Sequence, residues 1–77
     1  MKKISRTPVD SSSIVSMGYD EAGRLLDIEF PIGEIYRYFN VPAWEYENFM
    51  SAPSKGAYLN QQFKAAEYRY ERITSET

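Results

Sequence analysis

The sequence predicts an α+β domain: a three-stranded antiparallel β-meander followed by two helices packed on one face, in the order βββαα. Three observations lead there. Leu26, Ile28 and Phe30 alternate with Asp27 and Glu29, the period of a half-buried strand. Turn residues punctuate the chain at 20–23 and 31–33. After Val41 and Pro42 the apolar spacing changes from two to three and four, the period of a helix.

Residues 1–10 mix charge with Thr7 and Pro8 and show no periodicity. They read as a loose lead-in, with Lys2, Lys3 and Arg6 on a solvated tail and Val9 partly ordering it. Ser11, Ser12 and Ser13 then lead into a first strand over 13–19. In the turn at 20–23, Asp20 can accept a forward backbone bond and Gly23 suits a left-handed position. A three-residue loop there pairs Asp20 with Arg24 and Tyr19 with Leu25. That register sets Ile14, Ser16 and Gly18 beside the apolar face of the central strand. The other face would carry Val15, Met17, Tyr19, Leu25, Ile35 and Phe39 around Asp27, Glu29 and Arg37. It is too apolar for a solvated face, so a partner, a second copy or the N-terminal segment should cover it.

The hairpin over 24–42 fixes its own register. Pro31 suits the first corner of a type I turn, because its ring holds φ near −65°. Gly33 suits the left-handed position that follows. Such a loop sets Phe30 opposite Glu34, Ile28 opposite Tyr36, Asp27 opposite Arg37 and Leu26 opposite Tyr38. Tyr36 and Tyr38 then share the apolar face, either as packing rings with hydroxyls at the rim or as a surface for stacking a ligand.

Pro42 fits the start of a helix, which should run to about Ser51 and stop before Pro53. Tyr46, Phe49 and Met50 fall on one side of it, and Trp44 points elsewhere. Ser54 can cap a second helix. Leu59, Phe63, Ala66 and Tyr70 follow at spacings of four, three and four, one buried stripe that carries this helix to about Ile73. The domain is thus expected over 11–73, with 74–77 as a frayed tail.

Composition removes several function classes. A chain of 77 residues has room for one domain. It holds no cysteine, hence no disulfide and no thiolate metal site, and no histidine, the commonest general base and zinc ligand. Without histidine the triple serine has no ordinary activating partner, and strand entry is its better reading. A net charge of −2 gives no global attraction to nucleic acid or anionic membrane. Met1, Lys2 and Lys3 are not followed by an apolar run, and no stretch reaches transmembrane length. The expectation is a cytoplasmic protein with no cofactor and no membrane partner.

Two groups of residues could carry chemistry. Ser54, Lys55 and Gly56 open the second helix, where unpaired N–H groups and a lysine could hold a phosphate-sized anion. The glycine spacing and Lys-Ser/Thr pair of a nucleotide loop are missing. Glu45 and Glu47, and Glu67 and Glu71, could pair as acid and base. They are interleaved with Lys64, Arg69 and Arg72, as on a solvated helix face, so no enzyme is expected.

Several of these residues together resemble the KTSC domain family: Ser12, Ile14, Gly18-Tyr19-Asp20, Gly33-x-x-Tyr36-x-Tyr38, Val41-Pro42, Tyr46, Ala52 and Ser54-Lys55-Gly56-x-Tyr58-x-Asn60. The resemblance runs from about Ser11 to Arg72. Leu59 stands where an aromatic is usual and Phe63 where isoleucine is usual, both apolar exchanges. The resemblance implies a small bacterial domain of unassigned function, also found at the C-terminus of some lysyl-tRNA synthetases. That fusion suggests RNA binding by association. It implies no catalytic residue.

Two readings follow. In the first the chain binds RNA, with Ser54, Lys55 and Gly56 holding a phosphate and Tyr36, Tyr38 and Arg37 stacking bases. In the second it binds a protein partner or its own copy through Met17, Tyr19, Ile35, Phe39 and Trp44.

Overall fold

The computed structural model describes residues 2–73. Its sheet is antiparallel and runs in chain order: β1 (Thr7–Pro8), β2 (Ser16–Asp20), β3 (Leu25–Glu29), β4 (Ile35–Tyr38) and β5 (Tyr70–Ile73). Between β4 and β5 lie α1 (Ala43–Ser51) and α2 (Lys55–Tyr58). The second helix widens into a π turn over Leu59–Phe63 and tightens to 3-10 geometry over Lys64–Ala66. The α+β class is as expected, but among the described residues the sheet has five strands, not three. The expected frayed tail, 74–77, lies outside the described residues. Among the described residues, no helix is long and apolar enough to cross a membrane.

The β3–β4 hairpin forms as its turn residues require. Gly33 takes φ +89°, and its N–H donates to the Phe30 carbonyl at 2.8 Å. Leu26 faces Tyr38, Asp27 faces Arg37 and Ile28 faces Tyr36. The β2–β3 hairpin departs from expectation by one residue. Asp20 does accept the Gly23 N–H, at 3.1 Å. But Arg24 takes the left-handed conformation, φ +57°, so the loop is one residue longer and Asp20 faces Leu25. A slip of one residue moves every side chain to the other face. Met17 and Tyr19 therefore join Leu26 and Ile28 under the helices, and Ser16 and Gly18 lie with Asp27 and Glu29.

The second helix is also shorter than the apolar stripe suggested. Ser54 caps it as expected, accepting the Ala57 N–H at 3.2 Å. Leu59 and Phe63 are buried through the π turn. Glu67 then turns left-handed, φ 56° and ψ 46°, and ends it. Ala66 is exposed, and Tyr70 sits on β5 opposite Tyr38. The chain stops winding because Tyr70, Glu71, Arg72 and Ile73 can complete the open edge of β4 instead, satisfying backbone groups that would otherwise lack partners.

The core lies between the sheet and the helices, centred on Met17, Leu26, Ile28, Phe49 and Phe63. The other face of the sheet is covered by the N-terminal segment, which the sequence suggested as a loose lead-in. Arg6 donates to Ser16 at 3.1 Å, and Arg37 donates to the Lys2 carbonyl at 2.6 Å. The segment passes so close to β2 that a Cβ on Gly18 would stand 2.2 Å from the Ser5 carbonyl oxygen. Ile4 and Ile35 are buried outside the main core and belong to this second layer.

Candidate functional site

β4 and β5 bring three tyrosines to one face of the sheet. Tyr36 and Tyr38 stand two apart on β4, and Tyr70 crosses from the neighbouring strand. Tyr36 and Tyr70 stack, with centroids 5.4 Å apart and rings 11° from parallel. Phe30 meets Tyr36 edge-on at 5.6 Å, and Tyr38 meets Phe63 edge-on at 4.8 Å. Between these rings and the second helix opens a cleft of about 290 Å³, lined also by Leu59, Lys64, Glu67 and Tyr68. Tyr38 forms its depth at 8% exposure, and Tyr70 its lip at 54%. Burial, and then the neighbouring Tyr70 and Tyr36, push the Tyr38 hydroxyl up to about 12. The cleft is mostly apolar and carries one lysine and one glutamate.

Glu45 does not line the cleft but bonds Tyr68, which does, and it is buried at 4% exposure. It accepts hydrogen bonds from the Tyr58 and Tyr68 hydroxyls, the latter at 2.8 Å. This carboxylate ties α1 to the second helix and to the segment that leads into β5. Burial first, and then the Glu45 bond, raise the Tyr58 hydroxyl to about 12 and push the Tyr68 hydroxyl up as well. The sequence reading placed Glu45 on a solvated face. The one available signal was its position four residues before the buried Phe49, on the same side of α1.

The remaining candidate residues do not gather at the cleft. Arg37 was expected to stack on a base. It points to the opposite face, 5% exposed, and its guanidinium grips Asp27 through two bonds of 2.8 and 2.9 Å. The Asp27 bond, outweighing burial, raises the Arg37 pKa further. Lys55 reaches back to the Ala52 carbonyl at 3.4 Å and does not line the cleft. The space beside Gly56 is taken by Ser13, whose Oγ would lie 2.7 Å from an added Cβ. Ser54 is engaged as the cap.

The expected partner face is divided as well. Met17 is fully buried in the core, not on a free sheet face, and Ile35 lies at 2% exposure on the other side of the sheet. Tyr19 stacks on Tyr46 at 4.9 Å and donates to the Val41 carbonyl. Phe39 lies under the Arg69 guanidinium, 4.3 Å away. Trp44 is 59% exposed, at an open groove of about 600 Å³ between the helices. Of the sequence candidates, Tyr36 and Tyr38 alone share the cleft, and Phe30, Tyr68 and Tyr70 join them.

A family model described as the KTSC domain matches residues 10–68. The chain is 41% identical over 70 residues to an uncharacterized protein of Stutzerimonas stutzeri, covering 91% of this chain and 99% of that one. It is 34% identical over 65 residues to a lysine–tRNA ligase of Nostoc punctiforme, covering 84% of this chain and 11% of the ligase. Among solved structures, the crystal structure of a KTSC domain protein from Yersinia pestis superposes with a TM-score of 0.85 at 40% identity. It covers 94% of this chain and 100% of that one.

Proposed function

Because this chain belongs to the KTSC domain family, we propose that the tyrosine cleft is the working surface of a non-catalytic binding module, and that it holds an aromatic or large aliphatic side chain of a partner protein. The cleft composition carries this reading. Its walls are aromatic and apolar, and Lys64 and Glu67 offset one another. Small pockets of this kind bury an apolar side chain and orient it with a few polar groups. An RNA strand would also need cations along its path. Arg37 is committed to Asp27, and Lys55 is off the cleft. The relatives named as lysine–tRNA ligases favour RNA as a second reading.

Two titrations separate the readings, each followed through the backbone amide shifts of the domain. One uses a pool of random unstructured peptides, the other an oligouridylate at low salt. The peptide pool should shift the amides around Tyr36, Tyr38 and Tyr70. Tyr70→Ala should weaken that response about tenfold or more, the scale of removing a packed aromatic contact, while Lys55→Glu leaves it unchanged. Saturable oligouridylate binding that Lys55→Glu weakens would replace this reading with the RNA one.

A further inference from the structure

β5 is an outer strand of the sheet, beside the cleft. The Phe39 N–H donates to the Arg69 carbonyl at 2.9 Å, and Tyr38 faces Tyr70. In an antiparallel ladder the bonded pairs recur at every second residue. Arg69, Glu71 and Ile73 therefore turn their backbone groups toward β4. Tyr70 and Arg72 turn theirs away from the sheet, where no strand among the described residues meets them. The other edge is blunted: β1 is two residues long and contains Pro8. The side chains of Tyr70 and Arg72 share the cleft face with Tyr38 and Tyr36, so the open edge and the open cleft adjoin.

We infer that β5 receives an extended segment of another protein as a sixth strand, with an aromatic or long aliphatic side chain seated in the tyrosine cleft and a basic residue opposite Glu71. The inference rests on the cleft reading above and adds how the partner is held. Main-chain bonds to Tyr70 and Arg72 supply attachment, and alternate side chains supply selection. Charge and the placement of Arg69 argue against a second copy of this chain. Opposed residues share a face, so a two-fold antiparallel pairing of β5 must be centred on a residue. Centred on 71 it sets Glu71 against Glu71, and centred on 72 it sets Arg72 against Arg72. Centred on 70 it calls on Arg69 to meet Glu71, but the Arg69 guanidinium is turned back over Phe39, on the β4 side and away from the open edge. Directly opposed like charges destabilise such a pair, whereas a lysine or arginine opposite exposed Glu71 supports it.

A displayed library of random peptides, selected on the wild-type domain, supplies the probe. Arg72→Pro removes an outward N–H and leaves the β4 ladder intact, the setting in which an edge strand tolerates proline. Selected peptides should carry an aromatic or long aliphatic residue and bind Arg72→Pro about tenfold or more weakly. Exchange of the Tyr70 amide should slow in the complex. N-methylation of the peptide at alternate positions requires no change in the domain: one phase should abolish binding and the other spare it. Peptides that bind Arg72→Pro like wild type, or tolerate either phase, yet lose binding to Tyr70→Ala would overturn the strand and leave the cleft. No enrichment, or binding indifferent to both Tyr36→Ala and Tyr70→Ala, would overturn both.

Discussion

Glu45 fixes Tyr68, one of the residues that line the cleft, and Tyr58 on the second helix. Its two tyrosine donors come from opposite sides of the second helix's C-terminal half, so one carboxylate positions three segments. Hydrogen bonds to a charged group contribute about 1.5–3 kcal/mol each. Tyr58 should ionise at about 12 rather than 10. Glu45→Gln keeps an acceptor and removes the charge. Because burial is the larger cause, Tyr58 should then move only part of the way back toward 10, read from tyrosinate absorbance during a pH titration. An unmoved transition would show that Glu45 does not hold that hydroxyl. The sign for stability follows. Tyr38 and Tyr58 ionise at about 12 in the folded chain, and Tyr68 is raised too, against about 10 in the unfolded chain. Their neutral forms favour folding fully below pH 10, and that contribution disappears as pH rises from 10 to 12. For buried Tyr38 it is on the order of 2–3 kcal/mol. Alkaline unfolding in that window should be measurable by circular dichroism.

Among the elements, the β3–β4 hairpin was legible because Pro31 and Gly33 each permit few conformations. The β2–β3 hairpin was not, since the left-handed residue is Arg24 while a glycine stands one place earlier. β5 was hidden by a stripe that fits a helix through Tyr70, and nothing in the residue type of Glu67 announces a left-handed stop. Tyr36 and Tyr38 could be placed because their strand could be placed. Tyr70 could not, and with it went the second wall of the cleft. For Arg37 the register gave the right partner, Asp27, but not the burial of the pair, because nothing in residues 1–10 announces that the N-terminal segment covers that face and takes an Arg37 bond at the Lys2 carbonyl. The N-terminal segment gives a test at this scale. Gly18→Ala would force a methyl group against the Ser5 carbonyl. The segment should lift, weakening the Arg6–Ser16 and Arg37–Lys2 bonds. A cost of about 1–3 kcal/mol in denaturant unfolding is expected, as for other overpacked sites. Faster amide exchange in 2–6 should accompany it. Unchanged exchange there would mean that the close approach is not what holds the segment.

Across the described residues, the spatial order of strands copies chain order, and every neighbouring pair but one is joined by a loop alone. The exception is β4–β5, with two helices between its strands. Forming β2 through β4 closes only short loops, whereas joining β5 to β4 closes a loop of about thirty residues at a greater entropic cost. Chains rich in local contacts fold fast, and long-range pairings tend to be settled late. The expected transition state therefore contains the central meander and lacks β5. Tyr38→Ala and Tyr70→Ala probe the two sides of that last seam. Tyr70→Ala should raise the unfolding rate and leave the folding rate nearly unchanged, the signature of a contact absent from the transition state. Slowed folding would place β5 in the nucleus. A strand that docks last is also the cheapest to release, so β5 should open before the sheet does. A segment lying along its outer edge would then act as a latch on the final step of folding, and its residence time would be set by how often that step reverses.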